Sequence, residues 1–125
     1  MQWLWIGLGG FIGSNARYWI IQFTSKLNPN SLIPLGTMTV NILGCFMIGV
    51  MYAISLHKNV SHHLHAFFLT GFLGGFTTFS SFGLEAFKLF GNQQHWLALL
   101  DVVAQVVVGL LAVAVGYTIA KQAFS

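Results

Sequence analysis

The stretch GGFTTFSSF, residues 74–82, lies within a long apolar segment and combines residue types that do not suit a regular helix exposed to lipid. Glycine has a low helix propensity, and serine and threonine hydroxyls compete for backbone carbonyl groups. We therefore expect the helix to break at Gly74 and Gly75. A break at membrane depth persists only where protein or a cavity satisfies the freed backbone groups.

The composition of the chain is that of an integral membrane protein. Of its 125 residues, 6% are charged and 56% are hydrophobic, and the mean hydropathy is +0.77. Charged residues make up about 25% of an ordinary soluble domain. Two acidic and five basic residues cannot supply the polar surface that a soluble domain of this length needs.

Four apolar runs are each long enough to cross the hydrocarbon core, which takes about 20 helical residues. They cover approximately residues 2–23, 33–56, 64–90 and 96–120, with short polar connections between them. The first run follows no basic segment and precedes no typical cleavage site, so we expect it to be retained as a span. The sequence thus predicts an all-α integral membrane protein, a single domain 1–125 with four transmembrane helices, the third of them broken.

Small residues recur at four-residue intervals within these runs. This spacing lets helix backbones approach closely in a membrane. The pairs are Gly9 with Gly13, Gly71 with Gly75, and Ala112 with Gly116.

The basic residues give almost no orientation signal. With four spans, Lys58 and Lys121 lie on one side of the membrane, and Lys26 and Lys88 lie on the other, together with Arg17 if that side chain reaches the surface. Cytoplasmic loops normally collect Lys and Arg. A chain without this bias can insert in both directions, and two oppositely inserted copies can pair about a two-fold axis in the membrane plane.

Several other function classes are disfavoured by the sequence. The pI is about 9.4, but the basic residues are scattered singly and cannot follow a nucleic-acid backbone. No hydroxyl or thiol has an evident partner base, so an enzyme is not expected, and Cys45 is typical of a small buried apolar residue.

Three histidines and one aspartate have two interpretations each. His62, His63 and His65 could bind a transition metal, but histidines in a polar loop without a nearby cysteine or carboxylate are more typical of solvated residues. Asp101 follows Trp96 by about a turn and a half, which favours an interfacial position or a pairing with a neighbour over a buried functional role.

Polar and aromatic side chains form two patterns in the third run. Thr77, Ser81 and Glu85 are spaced by four residues and predict one hydrophilic stripe that ends in a carboxylate. An aromatic stripe lies beside it. Its members are Phe72, Phe76, Phe79 and Phe82. Either stripe alone also fits ordinary helix packing, and the freed carbonyl groups near Gly74 could bind a hard cation such as sodium or bond to neighbouring hydroxyls.

The donors available in the spans suit a dehydrated anion. The second run adds Thr37, Thr39 and Asn41, and the Asn41 amide has two N–H donors, whose alternative role is an interhelical hydrogen bond. Hydroxyls, an amide and positive ring edges can replace the hydration shell of an anion. Arg17 could draw anions toward a vestibule or simply extend to the interface.

Three motifs together resemble the bacterial fluoride channel family known as Fluc or CrcB. These are GGFTTFSSF in the third run, GTMTVN at 36–41 in the second, and GSNARYW at 13–19 in the first. The resemblance covers essentially the whole chain. It implies a multi-pass protein of the bacterial inner membrane that assembles as an antiparallel, dual-topology homodimer with two fluoride pores.

The resemblance also implies roles for individual residues. A trapped, non-transported sodium ion would be bound by the backbone carbonyl groups of Gly74 and Thr77 from both subunits. Phe79 and Phe82 would present their ring edges to fluoride, and Asn41 would be the pore amide. The remaining polar lining would be Thr37, Ser80 and Ser81, with Arg17 in the vestibule and Glu85 on the polar track. In the fourth run the chain departs from the family, with Gln105 and Gly109 where Tyr or His and then Ser are frequent.

These observations favour a passive, fluoride-selective channel that lets cytoplasmic fluoride leave down its gradient and so protects against fluoride toxicity. Two alternatives stay open. One is a proton-coupled antiporter similar to the small multidrug resistance transporters, although those need an acidic residue in the first helix, which has none here. The other is a membrane scaffold subunit that transports nothing.

Overall fold

The structure, a computed structural model, describes all residues from 1 to 125, and every regular element in it is helical. The third run is divided into a helix α3 at residues 62–76 and a helix α4. Within α3, the turn His62–His65 leads into a π-helical stretch, Ala66–Leu73, and then into Gly74–Phe76. The other helices are α1 (Gln2–Leu27), α2 (Leu35–His57), α4 (Phe79–Gly91) and α5 (His95–Phe124).

Three of the four expected spans are long and apolar enough to cross a membrane. They are Leu35–His57, His62–Gly91 and His95–Phe124. The 26-residue α1 is long enough but less apolar, because it carries Gln2, Asn15 and Arg17. Its role as a fourth span stays a prediction.

The break in the third run is confirmed, but the sequence analysis placed it too early. Gly74 is helical, with φ −61° and ψ −37°, and the chain becomes extended at Thr77 (φ −89°, ψ 158°) and Thr78 (φ −149°, ψ 116°). No glycine in the chain has a positive φ. A Cβ at Gly75 would lie 2.8 Å from the carbonyl oxygen of Gly10, so this glycine serves close helix packing and not the break.

Helix α1 packs tightly against α3 through the small residues that the sequence spacing identified. A methyl group on Gly9 would overlap the carbonyl oxygen of Phe67, and one on Gly13 would overlap that of Phe72. A Cβ on Gly71 would in turn lie 2.6 Å from the Ile6 carbonyl oxygen. The backbones are therefore nearly in contact, as expected for small residues at four-residue spacing.

Helices α2 and α5 form the second tightly packed pair. A methyl group on Gly49 would overlap the carbonyl oxygen of Val113, and one on Gly116 would overlap that of Phe46. Val40 and Ala53 of α2 are fully buried. The break at Thr77 lies against this pair, because its methyl group occupies the space that a side chain at Gly44 would fill.

The glycine contact between α1 and α3 predicts an unequal response to two similar substitutions. Gly13→Ala should lower the melting temperature in detergent, because overpacking costs about 1–3 kcal/mol. Gly7→Ala is the matched control, since nothing lies within 4 Å of its Cβ position and alanine gains up to about 1 kcal/mol over glycine in a helix. Tryptophan fluorescence during heating measures both. Equal melting temperatures for the two variants would contradict the close contact.

Candidate functional site

The side chain of Asn41 holds the break in the third run in place. Its Oδ1 accepts a hydrogen bond from the Thr78 backbone N–H at 2.8 Å, and its Nδ2 donates to the Thr78 carbonyl oxygen at 3.1 Å. Asn41 thus satisfies both backbone polar groups of one extended residue, as a neighbouring β-strand would. This pairing explains how an extended residue that is only 7% exposed can lie within an apolar segment.

The same contacts leave two backbone carbonyl groups without their usual helical donors. In a continuous helix, the Thr78 N–H would bond to the Gly74 carbonyl and the Ser81 N–H to the Thr77 carbonyl. Here the Thr78 N–H donates to Asn41, and the Ser81 N–H donates to Thr78 Oγ1 at 3.2 Å, which caps α4. Besides the Gly74 and Thr77 carbonyl groups, those of Gly75 and Phe76 also lose their helical donors, because Phe79 and Ser80 begin the new helix α4.

A chain of side-chain hydrogen bonds extends from Asn41 into α5. Asn41 Nδ2 donates to Gln105 Oε1 at 2.8 Å, and Gln105 Nε2 donates to Asp101 Oδ1 at 2.8 Å. Asp101 is completely buried, and its Oδ2 has no hydrogen-bond partner. Of the two alternatives expected for Asp101, the pairing with a neighbour is confirmed, and the interfacial position stays a prediction.

A cavity of about 410 Å³ adjoins the break. Asn41 and Gln105 contribute amide groups to its lining, and Phe79 and Phe82 contribute aromatic rings with centroids 5.5 Å apart and planes inclined at 48°. Gly74, Thr77 and Thr78 also line it. The cavity is open on one side, where Phe79 is 83% exposed and nothing lies within 4 Å of a Cβ placed on Gly74.

A second, more polar cavity of about 200 Å³ lies beneath the connection between α1 and α2. Thr37 and Glu85 line it, and Thr37 Oγ1 donates to Glu85 Oε1 at 2.9 Å. The second carboxylate oxygen of Glu85 is buried without a partner. Thr37 precedes Asn41 by one turn of α2, so the two cavities open at successive turns of one helix face.

The two stripes predicted for the third run do not exist as continuous features, because the extended residues at 77 and 78 change the direction of every side chain that follows. Phe72 and Phe76 stack on each other at 5.5 Å before the break, whereas Phe79 and Phe82 line the larger cavity after it. The hydroxyl of Thr77 bonds back to the Leu73 carbonyl oxygen at 2.9 Å. The hydrophilic stripe is divided in the same way, and Glu85 lines the second cavity.

The other predicted site residues lie outside both cavities. Ser80 lies 3.3 Å from the Thr78 hydroxyl and is exposed, and Ser81 contributes its backbone N–H to the cap of α4. Arg17 is half-buried on α1 and lines neither cavity. Their predicted contacts with an anion stay predictions.

Side chains do not form a metal site in this chain. No group of three or more His, Cys, Asp or Glu side chains could hold an ion, and His62, His63 and His65 are exposed at the start of α3. The carbonyl groups of Gly74 and Thr77, which the sequence analysis named as sodium ligands, are among those that the break frees, and their binding of sodium stays a prediction.

The sequence does not identify two members of the site, Thr78 and Asp101. Thr78 has no role in the sequence analysis, but its backbone is the group that Asn41 binds and its side chain caps α4. Asp101 was not assigned to the site. Its position four residues before Gln105 places the two on one face of α5, and this spacing was the signal available in the sequence.

Comparison with known proteins finds relatives that align with almost the whole chain. Residues 4–117 match the family model described as CrcB-like protein, Camphor Resistance (CrcB). A protein of Helicobacter pylori (strain P12) named fluoride-specific ion channel FluC is 43% identical over 124 residues, which are 95% of this chain and 92% of that protein. Proteins of the same name from Helicobacter acinonychis (strain Sheeba) and Paracoccus denitrificans (strain Pd 1222) are each 42% identical, over 95% and 98% of this chain and 94% and 96% of their own lengths. The chain therefore belongs to the CrcB-like family.

Proposed function

We propose that this protein is a fluoride-selective ion channel that conducts passively and lets cytoplasmic fluoride leave the cell. The observation that carries the proposal is the larger cavity, in which two side-chain amides and the rings of Phe79 and Phe82 surround a space adjoining the helix break. The fluoride-specific relatives support it, since they are 42–43% identical over nearly the whole chain.

The chemistry of this cavity suits an anion that has lost its water. Amide N–H groups and the positive edges of aromatic rings can replace the hydration shell of an anion. Fluoride holds water more tightly than chloride, so closely spaced donors are needed to bind it. The half-buried amide of Asn41 and the buried amide of Gln105 are held by hydrogen bonds at 2.8 Å and provide a rigid arrangement of this kind.

We infer that the channel is an antiparallel homodimer. The larger cavity is open beside Gly74 and Phe79, and a second copy of the chain placed there would close it. The near balance of basic residues between the two sides of the membrane supports insertion in both orientations in the bacterial inner membrane.

We also propose that a structural sodium ion lies at the contact between the two copies. Sodium is a hard cation and prefers oxygen ligands. The freed carbonyl groups of Gly74 and Thr77 fit this requirement, and Gly74 lies on the open side of the chain. Because these two carbonyl groups do not complete the coordination shell of a hard cation, a second copy would supply the remaining ligands. A bound sodium would neutralise the carbonyl dipoles that the break leaves unpaired.

The alternative functions have less support. An antiporter of the small multidrug resistance type needs an acidic residue in its first helix, and α1 contains no Asp or Glu. A scaffold without transport would not require buried amides around an open cavity, since apolar side chains would pack the same space at lower cost.

Fluoride efflux from liposomes tests the channel and its aromatic lining together. The protein should release fluoride much faster than chloride. Phe82→Ile should slow fluoride release about two- to tenfold, because a ring contact contributes about 0.5–1.5 kcal/mol and about 1.4 kcal/mol corresponds to a factor of ten in rate.

Phe87→Ile is the matched control, since Phe87 lies on the same helix, is 74% exposed and does not line the cavity. If the unaltered protein released chloride as readily as fluoride, the proposed selectivity would be wrong. If both phenylalanine variants behaved alike, the cavity would not be the pore.

Orientation can be measured with reporters fused to the C-terminus. We expect labelling on both sides of the membrane in comparable amounts, because the basic residues are nearly balanced. Adding three lysines to one terminus should shift most molecules to a single orientation, and adding three glutamines is the control. Labelling of the unaltered protein on one side alone would exclude dual topology.

Removal of sodium tests the proposed carbonyl site. Fluoride efflux should fall when sodium is exhaustively replaced by a large organic cation and should return when sodium is restored, without any sodium flux through the protein. Thr77→Ala should be milder than sodium removal, since its carbonyl group is retained and its hydroxyl bonds only to Leu73. Unchanged efflux without sodium would favour a simple packing break.

A further inference from the structure

Both acidic residues of the chain lie toward one end of the helix bundle. Glu85 bonds to Thr37 near the start of α2, and Asp101 lies near the start of α5. Lys121 lies about 20 residues after Asp101 on the same helix, a separation of about 30 Å. The opposite end of the bundle, where α2 and α5 finish, therefore has no acidic side chain that could pair with its lysines.

Two lysines lie at that end, where α2 and α5 meet. Lys58 follows the last residue of α2, and its Nζ lies 5.9 Å from the centroid of the Phe124 ring. Lys121 lies in the last turn of α5. Phe124 comes three residues after Lys121, so the two side chains are neighbours on one face of that helix. The contact with Phe124 therefore places the Lys58 ammonium group on the same face as Lys121.

Two tyrosines extend this surface toward the middle of the membrane. The rings of Tyr52 and Tyr117 pack against each other with centroids 5.7 Å apart, and the Lys121 Nζ lies 5.9 Å from the Tyr117 centroid. Tyr52, Phe124 and both lysines are exposed. The lysine–tyrosine patch is the surface formed by these five residues, Tyr52, Lys58, Tyr117, Lys121 and Phe124. It combines positive charge at its outer edge with phenol rings on its membrane side.

The position of the patch indicates what kind of molecule it meets. The 23 residues of α2 span about 35 Å, and the hydrocarbon core is about 30 Å thick, so the end of this helix lies at the depth of the lipid headgroups. Tyrosine is enriched at that depth, because its ring contacts acyl chains while its hydroxyl contacts polar groups. Two ammonium groups without a carboxylate partner favour a phosphate, and they favour a headgroup with a net negative charge over a zwitterionic one.

We propose that the lysine–tyrosine patch binds the phosphate group of a net-negative phospholipid through Lys58 and Lys121, with the hydroxyls of Tyr52 and Tyr117 as further donors. The bound headgroup offsets the repulsion between the two ammonium groups and links the ends of α2 and α5. This site goes beyond ion conduction and does not depend on whether the chain passes fluoride.

Each lysine alone has a simpler explanation. Basic residues in the last turn of a helix offset the helix dipole, and long basic side chains extend to the membrane interface. Those roles stabilise the helix ends without lipid and do not discriminate between headgroups. Discrimination between a net-negative and a zwitterionic lipid is therefore the property that separates a binding site from these roles.

The test measures how many lipid molecules bind the full chain, purified in an uncharged detergent, by native mass spectrometry during titration with phosphatidylglycerol or phosphatidylcholine. The unaltered protein should bind phosphatidylglycerol about tenfold more tightly. Lys58→Gln combined with Lys121→Gln should weaken this binding about thirtyfold, because each basic residue near an anionic headgroup contributes about a factor of five. Lys58→Arg combined with Lys121→Arg retains both charges and should retain the binding.

The matched control is Lys26→Gln combined with Lys88→Gln. It removes the same charge from exposed lysines in the last turns of α1 and α4, at the other end of the bundle, and should leave the binding of phosphatidylglycerol unchanged. Lys58→Gln alone and Lys121→Gln alone, each expected to lose about fivefold, decide the matter if the double variant does not fold.

Three results would overturn the proposal. The first is equal binding of the two lipids by the unaltered protein. The second is an equal loss in the two double glutamine variants, which would indicate diffuse attraction to the whole charged surface. The third is displacement of phosphatidylglycerol by an excess of inorganic phosphate, which would identify a site for a soluble anion. None of these readouts involves fluoride efflux, so failure of this proposal is distinguishable from failure of the proposed function.

Discussion

The contact between the Asn41 side chain and the backbone of Thr78 is the constraint on which the rest of the structure depends. An extended residue in an apolar helix exposes one N–H and one carbonyl group, and each would cost several kcal/mol if left unpaired away from water, of the order of 2–7. Asn41 satisfies both. The break, the cap of α4, the freed carbonyl groups and the position of Phe79 beside the cavity all follow from this one pairing.

Composition and periodicity were sufficient to predict an all-helical membrane chain with a broken third helix, because apolar length and small-residue spacing are local properties. The glycine pairs on α1 and α3 are in close contact as expected. The position of the break was not predictable in the same way. Glycine propensity suggested Gly74 and Gly75, but the break lies where a side chain on another helix can reach the backbone, and that depends on how α2 packs.

The dependence on helix packing also limits what the sequence predicts about the site. The two cavities are lined by Asn41, Phe79, Phe82, Thr37 and Glu85, but not by Ser80, Ser81 or Arg17. For the two serines the reason is that the extended residues turn the start of α4 away from a continuous stripe. Asp101 is a second example of a residue whose surroundings depend on helix packing. Its distance from Trp96 suggested an interfacial position or a pairing with a neighbour, and in the structure its side chain is fully buried and bonded to Gln105.

The π-helical stretch Ala66–Leu73 has a consequence for how the length of this chain can change during evolution. A π-helical turn accommodates more residues between the same two ends than an α-helical turn does. A deletion of one residue within this stretch can therefore be absorbed by a return to α-helical geometry, with Gly75 still facing α1 and Thr78 still facing Asn41. The segments on either side have no π-helical turn that could absorb a deletion. A residue lost there would rotate Gly75 or Thr78 away from its partner. Length variation in the third membrane segment is thus expected to concentrate before the break and not within it.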